Sequence, residues 1–223
     1  MYEASARVPM IISGPGVRRG AVVQDLTSLL DLFPTLVAMQ GGTPADDLAG
    51  FTLMPFLKAD VGDVSRGAVT RNDFVTSQYH SNMGNTGSFM IRQGRWKYIA
   101  FGQNGRRFNG SCGHDCTYNP QLFDVLADPE ELKDVAAAEP AAAAQLDQLL
   151  RSHVDYPAVD LQCKKYDKLV YSQFIGADPA SAYKEWVSRY TGFDCGASNC
   201  GNDAGTAATG DWLKVEQWLA DPL

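Results

Sequence analysis

Five cysteines, three histidines and a few closely spaced charges are the side chains through which this 223-residue chain could do chemistry. Cys112 and Cys116 flank Gly113-His114-Asp115, Cys195 and Cys200 flank a Gly/Ser/Asn loop, and Cys163 stands apart. Two close pairs in loop-like sequence favour disulfides formed in an oxidising compartment. The sequon Asn109-Gly110-Ser111 beside the first pair points the same way, as a glycosylation acceptor. Zinc is the rival use of these thiols, but neither pair has Cys-x-x-Cys spacing and only His114 lies near. His80 follows a strand-like run within Gln78-Tyr79-His80-Ser81-Asn82. It could face a substrate with Asn82, or it could be a strand-end histidine hydrogen-bonded to loop backbone. Glu3 and Arg7, four residues apart, read as a structural ion pair rather than as catalytic groups. Arg106-Arg107, with Lys97 nearby, could collect an anionic polysaccharide, and a solvated loop is the more ordinary alternative. His153 falls at a helix end, where its charge suits the helix dipole.

The elements that must position these residues fall into two styles. Val8 to Ile12 is an apolar run without alternation, closed by Ser13-Gly14-Pro15-Gly16. Such a run fits a strand buried on both faces of a parallel sheet. A strand of that kind needs neighbours, so the expectation is that the chain is the second part of something larger. Asp31 to Gln40 reads as a helix with Asp31 as cap, Pro34 in the first turn and Gly41-Gly42 as its stop. Asp46-Asp47 follows Pro44 and reads as a turn. Residues 59 to 67 are polar and turn-rich, the best boundary candidate. Beyond it the pattern becomes antiparallel β, with a strand candidate at Ala68 to His80. A hairpin follows, Phe89 to Gln93 and Trp96 to Phe101 about Gly94-Arg95, and then a short strand from Gln121. Asp128-Pro129-Glu130-Glu131 reads as a helix start, with acidic residues on the positive end of the dipole. Pro140 to Val154 is a second helix, and its stripe of Leu146, Leu149 and Leu150 is core.

Composition limits the function classes. Apolar residues make up 45% of the chain, enough for a true core. A formal charge of −7 argues against nucleic-acid binding. No stretch approaches the ~18 consecutive apolar residues of a membrane span, and no secretory leader is visible.

Several segments together resemble the C-terminal part of a sulfatase, in the alkaline phosphatase superfamily. They are Tyr2-Glu3-Ala4-Ser5-Ala6-Arg7-Val8-Pro9, Ser28-Leu29-Leu30-Asp31-Leu32-Phe33-Pro34-Thr35 with Gly41-Gly42, and Trp96-Lys97-Tyr98. Gln121-Leu122-Phe123-Asp124 and Asp128-Pro129-Glu130-Glu131 complete the set, five pieces in the family's order. Gln78-Tyr79-His80-Ser81-Asn82, Pro120-Gln121-Leu122-Phe123-Asp124 and Asp155-Tyr156-Pro157 are similar to the arylsulfatase K-like branch. The likeness covers about residues 1 to 175 and fades over the tail, and neither cysteine pair has a family counterpart.

The resemblance implies an α/β fold, α+β in its C-terminal part: the end of an alkaline-phosphatase-like mixed sheet domain, then a small antiparallel sheet packed with helices. The implied division is 1–60 for the remnant of the catalytic α/β domain, 61–160 for the antiparallel subdomain and 161–223 for a helical or irregular tail. It further implies a lysosomal or secreted parent that hydrolyses sulfate esters of uronic acid, glycosaminoglycan or aryl groups. Such a parent uses calcium and a formylglycine made within a Cys-x-Pro-x-Arg segment. The opening segment looks like the one that follows the family's active-site lysine. No cysteine here lies in Cys-x-Pro-x-Arg, so no catalytic or metal-binding residue is assigned and the chain alone is expected to be inactive. What the likeness leaves is His80 and Asn82 as substrate contacts, and a missing N-terminal sulfatase domain as partner. The alternative from another class is a stand-alone, non-catalytic module that binds a sulfated glycan or a protein.

Overall fold

The computed structural model describes residues 1–58, 73–80, 87–102 and 119–175. Its centre is an antiparallel meander in the order β1 (Phe74–Tyr79), β2 (Ser88–Gln93), β3 (Trp96–Phe101) and β4 (Gln121–Asp124). The β2–β3 hairpin forms where the sequence places it. Gln93 pairs with Trp96 across the two-residue turn, and Gly94 takes φ +57, which suits glycine there.

Strand alternation gives the sheet two apolar faces. Phe89, Ile91, Tyr98, Ala100 and Leu122 face Leu146, Leu150 and Tyr156 in one buried cluster. The last three come from α4 (Pro140–His153) and the start of α5 (Tyr156–Ile175). Pro140 at the first position of α4 needs no N–H there, and Leu149 adds to the same stripe, as its spacing requires. The opposite face gathers Met90, Ile99, Phe123 and Val125, and Met1 and Ala6 of the opening segment pack on it. That segment contains α1 (Glu3–Ala6), a single helical turn.

The opening region departs from expectation in two respects. Val8 to Ile12 forms no strand, and Ile11 is 91% exposed. An apolar run becomes a strand only beside a free hydrogen-bonding edge, and no strand of the described residues flanks it. The helix foreseen from Asp31 is present as a 3₁₀ turn (Leu29–Asp31) running into α2 (Leu32–Met39). Asp31 does not cap α2 with its side chain; it closes a capping box with Ser28, accepting the Ser28 N–H at 2.9 Å. Its other oxygen accepts the Phe51 N–H at 2.8 Å, and Thr35 Oγ1 accepts that of Leu53 at 2.8 Å. Those bonds pin the segment leading into α3 (Met54–Lys58). Gly41 ends α2 with φ +80, and Asp46-Asp47 is the turn expected.

Asp128 to Glu131 is also not a helix. It is a turn in which the Asp128 carbonyl accepts from Glu131 N–H at 3.1 Å and its carboxylate accepts from Lys133 N–H at 2.8 Å. Glu131 holds φ +54, a conformation that no α-helix accommodates. No helix among the described residues is long and apolar enough to cross a membrane.

Candidate functional site

β1 ends at Tyr79, and His80 follows at the rim of the sheet on the side of α4 and α5. Its ring meets Phe89 edge-on at 5.0 Å, and Phe89 lies 5.4 Å from Tyr156, so three rings form a row. His80 Nε2 is buried and makes no hydrogen bond among the described residues. Close by, Gly102 N–H donates to Gly87 O at 2.9 Å, and Gly87 N–H donates to the buried carboxylate of Asp160 on α5. A Cβ on Gly102 would collide with Asp160, and one on Gly87 with His80. The two glycines are therefore the recess that lets α5 reach the sheet end.

A second polar group lies along α4. Asp147 accepts from Tyr98 Oη at 3.0 Å, from Tyr156 Oη at 2.8 Å and from Arg151 Nε at 2.7 Å. Burial works to raise the Asp147 pKa, but the hydrogen bonds from Arg151, Tyr156 and Tyr98 outweigh it and hold the carboxyl below its ordinary range. Burial, then the Asp147 hydrogen bond, pushes Tyr156 up to about 12. Tyr98 rises well above its ordinary value, by burial first and the Asp147 charge second.

The third group sits on the opposite face. Lys97 is 0% exposed, with Nζ 2.8 Å from Glu131 Oε1 and 3.2 Å from Glu3 Oε1. Arg92 holds the other Glu3 oxygen at 3.1 Å, and Glu3 N–H donates to Glu131. The Glu3–Arg7 pair is long, 4.0 Å, with Arg7 largely exposed. Glu3 is thus structural, as expected, but Lys97 and Arg92 are its main partners. Lys97 itself is removed from any polysaccharide-collecting surface, because its ammonium is enclosed and already paired. A signal for this was present in the sequence. Lys97 shares strand parity with Ile99 and Phe101, and a lysine on an apolar face needs a carboxylate.

A cleft of about 1040 Å³ opens between the opening region, α3 and β1, with Arg7, Arg18, Arg92, Val75, Met90 and Leu57 on its walls. His80 does not line it. His153 ends α4, with its ring 4.6 Å from Phe74. Cys163 is half-buried on α5. Asn82, Arg106, Arg107, Asn109, Cys112, His114, Cys116, Cys195 and Cys200 lie outside the described residues.

The described carboxylates do not fit a calcium ion. No group of three or more potential ligands occurs among the described residues. Glu3 and Glu131 converge on a lysine, Asp147 on two phenols and an arginine, and Asp160 on an amide. Calcium requires about six to eight oxygen ligands around one point.

Residues 1–155 match the family described as N-sulphoglucosamine sulphohydrolase, C-terminal. Arylsulfatase K of Canis lupus familiaris is 32% identical over an alignment that covers 100% of this chain and 38% of the relative. The Homo sapiens arylsulfatase K is 33% identical over 78% of this chain and 30% of its own length. The chain thus spans about a third of the length of these relatives. The dog protein aligns through the tail as well, further than the motifs alone reach. Among solved structures, a 2-O GAG sulfatase shares the fold at 25% identity and a TM-score of 0.51, covering 67% of this chain and 30% of that one. This chain belongs to the sulphohydrolase C-terminal family and is a sulfatase C-terminal domain.

Proposed function

We propose that this domain serves a sulfuric ester hydrolase whose nucleophile and metal lie in another part of a longer protein. The substrate class is a sulfated uronic acid or glycosaminoglycan, or an aryl sulfate. The family match over residues 1–155 is the observation that carries this reading. The names of the relatives support the substrate class, since they include arylsulfatase K and a 2-O GAG sulfatase. Family membership implies calcium and formylglycine for such an enzyme, and the described residues supply neither. The 223 residues alone are accordingly expected to show no turnover. Lysosomal or secreted residence follows from the same reading, supported by the paired cysteines and the Asn109 sequon.

Sulfatase chemistry requires donors and cations fixed around a sulfuryl group as charge moves to the leaving oxygen. A C-terminal domain contributes by closing the mouth of that site and setting which alcohol fits. The test is an assay of the longer gene product, matured with its formylglycine, on an aryl sulfate, a 2-sulfated uronate disaccharide and a phosphate diester. Sulfate hydrolysis by the longer product and none by residues 1–223 is the expected result. Preference for the phosphate diester would overturn the sulfatase reading.

A further inference from the structure

The described structure contains one fully enclosed ammonium, Lys97, and its two carboxylate partners come from distant parts of the chain. Glu131 stands in the turn after β4, and its side chain is 1% exposed. Glu3 stands at the start of α1, 94 residues away from Lys97 in sequence. The geometry separates what is preformed from what docks. Lys97 and Glu131 both belong to the sheet and its following turn, where Val125 N–H donates to Arg95 O and Val135 N–H to Leu122 O. Glu131 holds its left-handed backbone inside that framework. Together the pair presents one donor, Lys97 Nζ, and one acceptor, the second Glu131 oxygen. Glu3 meets both, its carboxylate on the donor and its backbone N–H on the acceptor.

α1 has little cohesion of its own. Four residues close barely one turn, no side chain caps it, and isolated helices of that length do not persist in water. Its place is set by Glu3, by Met1 and Ala6 on the apolar face, and by Tyr2. The Tyr2 ring meets Phe123 edge-on at 5.7 Å, and its hydroxyl donates to Gln121 at 3.1 Å. Arg92 completes a quartet of two cations and two carboxylates. Without Lys97, two carboxylates would face one another out of water, and the simplest relief is for Glu3 to leave.

We propose that Lys97 and Glu131 form a two-point receptor for Glu3 that latches the opening segment onto the outer face of the sheet. Lys97 is then a positioning residue: it acts through Glu3 on whatever adjoins that segment. Its relevance to catalysis rests on the function proposed above, whereas the latch itself does not.

Hydrogen exchange on the whole chain tests it. The amides of Ser5, Ala6 and Arg7, bonded to Tyr2 O and Glu3 O, report the segment. In Lys97→Met they should lose protection at least about tenfold beyond whatever β2 and β3 lose with the fall in global stability, a sub-global opening. Glu3→Gln, at a side chain nearer the surface, should give the same pattern more weakly. Unchanged protection of residues 5–7 in both variants would overturn the latch. So would equal loss in β2 and β3, which would make Lys97 a support of the sheet alone. No sulfate ester enters the experiment, so failure of the latch leaves the sulfatase reading standing, and failure of that reading leaves the latch standing.

Discussion

The two faces of the sheet are closed by different physics. On the α4–α5 face, eight buried residues form a continuous cluster, with helix side chains meeting strand side chains at helical spacing. On the other face four buried residues cluster among the described ones, and four charged side chains complete the cover. The first arrangement is non-directional and depends on the area removed from water. The second depends on pairing, because a buried charge is tolerated only with its partner. Apolar closure holds elements of the same domain together under any sequence of similar volume. A charge quartet admits one docking register, and here it fastens a segment whose own continuation exposes Val8, Ile11, Val22, Leu29, Phe33 and Leu36. Those exposed apolar side chains contrast with the sealed helix face.

The contrast is broken most forcefully by paired truncations. Phe89→Ala should cost about 3–5 kcal/mol, through lost burial and the cavity left among Ile91, Leu122 and Tyr156. Lys97→Met should cost a similar ~3–5 kcal/mol, because it strands carboxylates rather than because it removes area. The two causes separate on adding Glu3→Gln and Glu131→Gln. Neutralisation should recover a substantial part of the Lys97→Met loss, while no change of charge should rescue Phe89→Ala. Urea midpoints at constant m-value measure both. Equal rescue, or none in either, would show that the two faces do not differ in kind.

How much of this was legible in the sequence follows the same division. The β2–β3 hairpin, β4, α4 and its leucine stripe could be read because each carries a local signal: a glycine turn, alternation, a Pro start, 3.6-residue spacing. The features that failed are those whose cause is distant. Val8 to Ile12 has the composition of a buried strand, but composition supplies neither the hydrogen-bonding neighbour nor the cover that would bury it, and Val8 and Ile11 stay exposed. Asp128-Pro129-Glu130-Glu131 carries the chemistry of a helix start, and a turn uses the same chemistry. What decides between them is Glu131, whose carboxylate is drawn to Lys97 and whose φ of +54 ends any helix there. At the candidate site, the position of His80 after a strand was legible, but its burial against Phe89 and Gly87 was not, since both contacts depend on the register of β1 with β2.

A smaller effect sharpens the helix face. Gly102→Ala places a methyl group into the Asp160 side chain, and the carboxylate cannot retreat without giving up the Gly87 N–H. Overpacking of this kind costs roughly 1–3 kcal/mol. It should loosen the start of α5 and leave α1 untouched, which exchange at residues 156–160 against residues 5–7 would show.

The Asp147 group gives the helix face a pH dependence of its own. The depressed folded pKa of Asp147 means that its contribution is present above the unfolded value of ~3.9. It is lost as pH falls through the folded one. Tyr156 works at the other end. Its folded pKa of about 12 lies above the unfolded ~10, so its contribution is complete below pH ~10 and fades as pH rises toward 12. Asp147→Asn should therefore flatten the acid limb of the stability profile, and Tyr156→Phe the alkaline limb. Melting temperatures from pH 2 to about pH 12 decide this, and an unchanged acid limb in Asp147→Asn would count against the group.

His80→Ala should have the smallest effect on folding. The ring is half-buried and packs edge-on to a single phenylalanine, so its loss should cost about 1 kcal/mol. Its weight lies in what it separates. His80 is on the helix face, away from the latch, and its Nε2 is enclosed without a hydrogen bond among the described residues. A histidine that only packs can be replaced with little change in turnover, whereas one that reaches a substrate oxygen when the full site is assembled cannot. In the longer enzyme, a fall in kcat/KM of tenfold or more with the melting temperature nearly unchanged would place His80 at the substrate. An unchanged kcat/KM would make it a rim of the core and move the search for substrate contacts to Asn82 and to the cleft beside β1.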